Sequence, residues 1–454
     1  MSTDHISSEA TQIESERHPL SAEDQSPISR LPMKLLSKIF LYVVSDSWLD
    51  GKTTTIICTQ IARVCVTWRE VAQGTAELWT DIDSKETNVK LKDQLAYSAT
   101  LPLHLTHERD QLRRNVALSR FLGRVGARMQ RVESLFLSTT CKGLAAVPVH
   151  NLPMLSQAHI IYTGKYNPNI LNFLANATAL TDLTLQGAEC TYMRSHVVAL
   201  RAPSFPSLTR MTLVLDINVH PEWFLSTIAQ CGTENLTFLH LAFCSLSDNE
   251  PPRRLVFTRV DLTLPVLRTL ILESENHTML RYIDAPQLES IVFSYVYDLG
   301  DPFVSFSRFL AQTPMSSIRA LELHEATGDP SAFLTCLALL PDLDRMAITW
   351  GHIRSIRVLV VYDPSQGPLT AEVLDRMTGD SERPPLVPRL TSVHFDISSV
   401  CRNFSEPALR RFVRSRRAPS VRGGCSVAAL EKVVVTGIYG SDNDFRECDG
   451  ERDG

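Results

Sequence analysis

Residues 236–246 read LTFLHLAFCSL, which spaces Leu236, Leu239, Leu241, Cys244 and Leu246 as L-x-x-L-x-L-x-x-C-x-L. Alternation along an extended strand places Leu239 and Leu241 on one face and Phe238 and His240 on the other. Looser copies of the L-x-x-L-x-L core start at Val132 (VESLFL), Leu180 (LTDLTL), Leu208 (LTRMTL), Leu267 (LRTLIL), Leu288 (LESIVF), Ile318 (IRALEL), Leu343 (LDRMAI), Leu390 (LTSVHF) and Leu430 (LEKVVV). Leu155 (LSQAHI) starts a weaker copy with Ala158 at its centre. From Val132 to Leu343 successive starts lie 21 to 31 residues apart, a period that marks a repeat architecture.

This spacing and period are those of a leucine-rich repeat, in which each unit is a strand plus a return and neighbouring units cover one another's apolar edge. The expected fold class is α/β, with an irregular leucine-rich-repeat-like solenoid over residues 130–440. An ordinary α/β domain with Leu-rich buried strands is the competing reading. The irregularity is legible at the ninth template position, where Asn or Cys is usual and this chain has Thr140, Ala188, Asp216, Glu275, Val296 and Ala326. The side-chain ladder of regular repeats is accordingly expected to be mostly missing. A long insertion between Leu343 and Leu390 carries a strand-like IRVLVVYD. Between the template leucines, the residues facing away from the core are Asp182, Thr184 and Gln186, Phe238 and His240, Glu273, Glu322 and His324, Arg345 and Thr349, and His394 and Asp396. They mix both charge signs without a convergent acid–base pair, which suits recognition of a protein surface. His240, Glu273, Glu322, His324, Arg345 and His394 are the candidate substrate-binding residues.

Ahead of the repeats, residues 31–40 read LPMKLLSKIF, and Leu35, Leu36, Ile39 and Phe40 form a wide apolar face on a helix. A first helix is expected from about Met33 to Val44, with Pro32 at the first-turn position that tolerates proline. After the polar excursion SDSWLDGKTT, helical patterns cover Ile56 to Cys65 and VTWREVAQG up to Gly74, and TAELWTDI follows. Three short helices are too few to build a robust core alone. Residues 1–27 and 441–454 are Ser-rich or acidic with few large apolar side chains, and are expected to be disordered tails. The organisation expected is a tail (1–27), a helical unit (28–82), a linker and first cap (83–129), the repeat domain (130–440) and a second tail (441–454).

The segment 28–82 resembles an F-box. It carries Leu31-Pro32, Leu35-Leu36 and Ile39-Phe40, then RVCVTWREVA with Val64, Cys65, Trp68 and Arg69, then Leu78-Trp79, in the family's order. It departs from the family in its spacer, which is longer and holds Trp48 and DGKTTT. The whole layout is similar to the fungal (basidiomycete-type) F-box proteins with degenerate leucine-rich repeats. LAYSATLPLHLTHE stands where that group has a short strand, and the segment from FVRSRRAPS to LEKVVV resembles its C-terminal repeat. The resemblance implies an N-terminal three-helix F-box that docks on a Skp-type adaptor, and through it on a cullin and a RING subunit. The chain would then be the substrate-recognition subunit of an SCF-type ubiquitin ligase, with a protein substrate on its repeats. Adaptor contacts are implied for Leu31, Pro32, Leu35, Leu36, Ile39, Phe40, Val64, Cys65 and Trp68. Such a subunit is not an enzyme and takes no cofactor. The alternative is a non-catalytic interaction scaffold with an F-box but no ubiquitination role.

Composition narrows the remaining classes. A hydrophobic fraction of 44% and a charged fraction of 21% are ordinary for a globular chain of 454 residues. The formal net charge of -5 argues against a nucleic-acid binder. The single strongly basic stretch, RRFVRSRRAPSVR from Arg410 to Arg422, reads as a solvated helix end, with an acidic partner or nucleic acid as the alternative. No apolar run reaches roughly 18 residues and no signal pattern opens the chain, so a cytoplasmic or nuclear location away from membranes is expected. The cysteines form no C-x-x-C pair and read as reduced, mostly buried thiols. Four glycosylation-like triplets, at Asn176, Asn235, Asn276 and Asn403, read as chance matches. DGKTTT is not a phosphate loop, because Asp46 stands where that motif needs glycine. His104 and His107 fall on opposite faces of a strand and read as surface histidines, not metal ligands.

Overall fold

The computed structural model describes residue 28 and residues 31–46, 54–108, 117–164, 167–188, 200–215, 221–243, 262–296, 300–313, 317–349, 367–380, 382–396 and 404–436. Both expected tails, most of DGKTTT and the IRVLVVYD segment lie outside the described residues. The chain divides into two compact units, Met1–Thr80 with Ala96–Ala99, and Asp81–Leu95 with Thr100–Gly454.

The first unit holds α1 (Met33–Asp46), α2 (Thr54–Ile61), α3 (Val66–Gly74) and a 3-10 turn over Ala76–Trp79. The Pro32 carbonyl accepts the N–H groups of Leu35 and Leu36 at 2.9 and 3.1 Å, so the proline stands where its missing N–H costs nothing. Helix α2 stops at Ile61 instead of running on to Cys65. Cys65 is fully extended (φ -158°, ψ 176°), and its Sγ accepts the Trp68 N–H at 3.4 Å, which caps α3. Leu36, Phe40, Val44, Ile57, Cys58, Ile61, Val71, Ala72, Leu78 and Trp79 make the core of this unit. Its polar edges are satisfied locally. The Trp79 indole donates to Ala72 O at 2.7 Å, and the Cys58 thiol donates to Leu78 O at 3.3 Å.

The second unit is built on a 13-stranded sheet. Its strands are β1 (Asp81–Asp83), β2 (Leu103–Glu108), β3 (Val132–Thr140), β4 (Gln157–Thr163), β5 (Asp182–Ala188), β6 (Arg210–Leu215), β7 (Phe238–Phe243), β9 (Thr269–Glu273), β11 (Ser290–Val296), β12 (Ala320–Ala326), β13 (Arg345–Thr349), β14 (Ser392–Asp396) and β17 (Lys432–Thr436). Two short pairs stand outside it: β8 (Leu262–Thr263) with β10 (Ile283–Asp284), and the hairpin of β15 (Ser420–Arg422) and β16 (Cys425–Val427). The main sheet is laid down in chain order, and each neighbouring pair is parallel. Each L-x-x-L-x-L copy supplies one strand, from β3 after Val132 to β17 after Leu430. Parallel neighbours need a return between them. The described helical returns are α4 (Asn88–Tyr97), α5 (Leu118–Val125), α6 (Cys141–Ala145), α7 (Pro221–Cys231), α8 (Pro302–Gln312), α9 (Pro330–Ala338), α10 (Ala371–Thr378) and α11 (Glu406–Ser415). The template leucines pack against their inner faces, where Phe224, Phe303, Phe306, Phe309, Phe333 and Phe412 are buried. The fold is mixed α/β with a large, mostly parallel sheet.

A side-chain ladder does tie the strands together, at the second template position and not the ninth. Ser156, Thr181, Thr209 and Thr237 each donate a hydroxyl to the carbonyl one strand back, on Glu133 (3.2 Å), Ser156 (3.0 Å), Thr181 (3.1 Å) and Thr209 (3.1 Å). The same carbonyls take backbone N–H groups, as Thr181 O does from Thr209 and Arg210 at 2.9 and 3.0 Å. Further along, position two holds Arg268 and Glu289, an ion pair at 3.0 Å. Asparagine contributes one place beyond the ninth: Asn276 donates to Leu241 O at 3.2 Å and Glu273 O at 2.6 Å, and its side chain is buried. These hydroxyls form a series apart from the ninth-position ladder that was expected to be mostly missing, and they reach carbonyls at the start of the strands. Thr209→Val, which keeps the shape and removes one donor, is expected to lower stability by about 1 kcal/mol, read as a shifted urea midpoint at constant slope.

Position eight carries a second departure. Ser274, Tyr295 and Glu325 fall there in successive copies, and all have positive φ (56°, 54° and 50°). Strand alternation would send these residues into the core; the left-handed backbone turns them aside and buries Val296 and Ala326 at position nine instead.

His277, in the 3-10 segment Ser274–Tyr282, is 2% exposed with Nδ1 3.1 Å from Ser305 Oγ. Burial pushes its pKa down to about 4 from the ordinary 6.5. Between those two values the unfolded chain holds a proton that the folded chain does not, so stability falls as pH drops through that window. From pH 7 to pH 5 this residue is expected to remove about 2 kcal/mol. Burial shifts His107, His150 and His159 the same way, while Asp83 is raised and acts oppositely. Urea titrations of a His277→Gln variant should show a flatter acid limb than the parent; parallel limbs would refute the assignment.

Candidate functional site

Helix α1 has two apolar faces. Leu36, Phe40 and Val44 point inward at 1%, 1% and 7% exposure, while Leu35 (47%), Ile39 (41%), Tyr42 (71%) and Val43 (43%) point out. At about 100° per residue the outward four span an arc of roughly 100°, next to the buried face and not part of it. In a globular unit the outward face of a helix is normally polar. A second exposed apolar group lies in the turn into α3, where Val64 is 60% and Val66 63% exposed. Cys65 between them is exposed as well. Trp68 is half-buried, its ring 5.0 Å from that of Phe40.

The nine residues expected on one adaptor face therefore separate. Pro32, Leu35, Ile39, Val64 and Cys65 are exposed, and Leu31 and Trp68 are half-buried. Leu36 and Phe40 belong to the unit's own core, since a helix turn carries them away from Leu35 and Ile39. Tyr42, Val43 and Val66, not among the nine, are exposed apolar residues as well. The signal for Tyr42 and Val43 was present, because they continue the Leu35 and Ile39 stripe at the next helical turn.

In the second unit the residues between the template leucines form the sheet face opposite the helices' core. On it, Asp182 reaches Arg210 Nε at 3.4 Å, and the Arg210 guanidinium sits 4.1 Å from the centre of the Phe238 ring. His240 Nε2 lies 2.9 Å from Glu273 Oε1. Three strands on, His324 Nδ1 lies 2.6 Å from Thr349 Oγ1 and its Nε2 lies 3.3 Å from Glu322 Oε2. A carboxylate only accepts, so the neutral imidazole carries its proton on Nε2 and takes the Thr349 hydroxyl at Nδ1. The hydrogen bond from His324 holds the Glu322 carboxyl below its usual range, aided by the charge of Arg345. Register aligns Glu322, Ala347 and His394 in one row, with Arg345 two residues earlier on the middle strand. The six expected substrate contacts thus form two groups, His240 with Glu273 and Glu322 with His324, Arg345 and His394. They are separated by β11, which shows Val292 and Ser294 on that face.

His107, read as a surface histidine, is 3% exposed and stacks on Phe121 at 5.9 Å, because α5 covers that face of β2. His104 is on the other face, 2.8 Å from Ser134 Oγ. Among the described cysteines Cys58, Cys141, Cys231 and Cys336 are buried, Cys425 is intermediate and Cys65 exposed. In the basic stretch, Arg410 pairs with Glu406 and Arg411 with Asp375. Arg416 is fully buried, which sets it apart from the solvated helix end expected there. Among the described residues no group of His, Cys, Asp and Glu is placed to hold a metal ion, and no helix is long and apolar enough to cross a membrane.

The class that this architecture defines is a mixed α/β protein with a parallel sheet in chain order and a separate small helical unit. Comparison with known proteins gives no match, either to a protein family or to a curated protein.

Proposed function

We propose that the chain is the substrate-recognition subunit of an SCF-type ubiquitin ligase, with the helical unit as its F-box and the sheet unit as an irregular leucine-rich-repeat-like receptor. The observation that carries this reading is the second apolar face of α1, Leu35, Ile39, Tyr42 and Val43, on a unit whose core is already filled by other residues. Exposed apolar surface of this kind marks an interaction site, and the F-box order of residues 31–79 names a Skp-type adaptor as the partner. The chain-order parallel sheet supports the repeat reading, since each Leu-rich copy delivers one strand. Its polar face, with Glu322 oriented by His324 and Thr349, is suited to holding a protein surface. The subunit itself does no chemistry; conjugation falls to the partners.

Affinity purification with quantitative mass spectrometry tests this. The wild-type chain should retain adaptor, cullin and RING subunit, and a chain lacking residues 28–82 should lose all three. Glu322→Arg with Arg345→Glu should keep the adaptor and deplete the bound substrate by about tenfold or more, the effect of disrupting one charged contact group. Recovery of a wild-type set of partners by the deletion would overturn the reading.

A further inference from the structure

We propose that the adaptor surface receiving α1 carries carboxylates along one side of its apolar groove, placed to meet Lys34 and Lys38. The inference rests on the docking role proposed above and adds a charge pattern to it. Around the helix at about 100° per residue, the order is Lys34, Lys38, Tyr42, Leu35, Ile39, Val43, then Leu36, Phe40 and Val44. The last three are buried in the core of the unit, so one border of the exposed stripe is closed. The two lysines make the other border. Both are exposed, one helical turn apart, and neither ammonium group pairs with a carboxylate among the described residues. A partner that covers Leu35 and Ile39 must pass directly beside them. At α3 the exposed charges are mixed, with Arg69 beside Glu70, one turn from exposed Val66. The border of single sign is the one on α1, so the carboxylates of the adaptor belong beside Lys34 and Lys38. Exposed charges at the rim of an apolar contact act chiefly on the association rate and are screened by salt.

The test measures association and dissociation of the full chain with purified Skp-type adaptor at about 50 mM and about 500 mM salt, where screening is weak and strong. Lys34→Glu with Lys38→Glu should associate about tenfold more slowly at low salt, with dissociation nearly unchanged and the difference lost at high salt. Lys34→Ala with Lys38→Ala should shift the rate in the same direction by less. Circular dichroism confirms that each variant is folded. A charge-reversed variant that associates at the wild-type rate, or faster, overturns the charge pattern. A Leu35→Asp, Ile39→Asp variant run alongside separates the two levels: if it also binds normally, the docking role falls, and if it alone fails to bind, docking stands without the carboxylate rim.

Discussion

Leu35→Asp combined with Ile39→Asp is expected to abolish adaptor capture while leaving the protein folded. Each side chain is more than two-fifths exposed in the isolated chain, at 47% and 41%. Covering an aliphatic side chain of this size contributes roughly 1.5–3 kcal/mol when it goes from fully exposed to buried, and about half of that remains available here. A carboxylate placed in an apolar groove adds a desolvation penalty of several kcal/mol. The sum for two positions exceeds about 4 kcal/mol, a loss of roughly a thousandfold in affinity. The same substitutions should change stability by no more than about 0.5 kcal/mol, because neither residue fills the unit's core. Phe40→Ala provides the contrast. It should destabilise the helical unit by about 3–5 kcal/mol, because Phe40 is 1% exposed and packs on Trp68 at 5.0 Å. A double-Asp variant that is folded and captures adaptor as the parent does would remove the docking role from α1.

Arg416→Leu is the second large effect. The Arg416 side chain is 0% exposed and donates to Pro388 O at 3.1 Å, Met377 O at 2.9 Å, Leu386 O at 3.1 Å and Val387 O at 3.3 Å. Arg422 adds Thr378 O at 3.1 Å and Ser415 O at 3.0 Å. Together the two guanidinium groups cap the C-terminal end of α10 and tie it to the chain before β14, where the helix dipole favours positive charge. Burial lowers the Arg416 pKa to about 10, with the charge of Arg422 acting the same way, so the group stays protonated at neutral pH. Leucine fills part of the volume but leaves four carbonyls without that donor, at a cost of about 3 kcal/mol or more. Urea unfolding measures the total. Hydrogen exchange should localise it, with faster exchange across residues 371–388 and little change in β3 to β7. Unaltered exchange in that segment would show the arginine to be dispensable there.

How much of this was legible without coordinates differs from element to element. Every L-x-x-L-x-L copy becomes a strand of the main sheet, because a pair of alternating apolar residues after a turn can be buried only in extended chain. Even the weak copy at Leu155 does so, although Ala158 replaces a leucine; its neighbours Leu135 and Leu183 pair on both sides and enforce the register. The hydroxyl ladder was overlooked because Ser156, Thr181, Thr209 and Thr237 look like ordinary polar strand residues. Their role exists only when a carbonyl from the previous strand lies within reach. The same holds for Arg416, which a charge count assigns to solvent and the packing of α10 on α11 withdraws from it.

The amino-acid order alone determined that this protein has strands at a repeating interval and a short helical segment with more apolar surface than three helices can hide. Both follow from periodicity, which is a local property of the chain. Which residues of LPMKLLSKIF fill the core and which stay outside was decided only in three dimensions. The direction from which α2 and α3 approach selects Leu36 and Phe40 and leaves Leu35 and Ile39 uncovered. The grouping of the polar face was settled the same way. His240 with Glu273, and His324 with Thr349 and Glu322, are brought together partly across neighbouring strands, by a register that no single strand encodes.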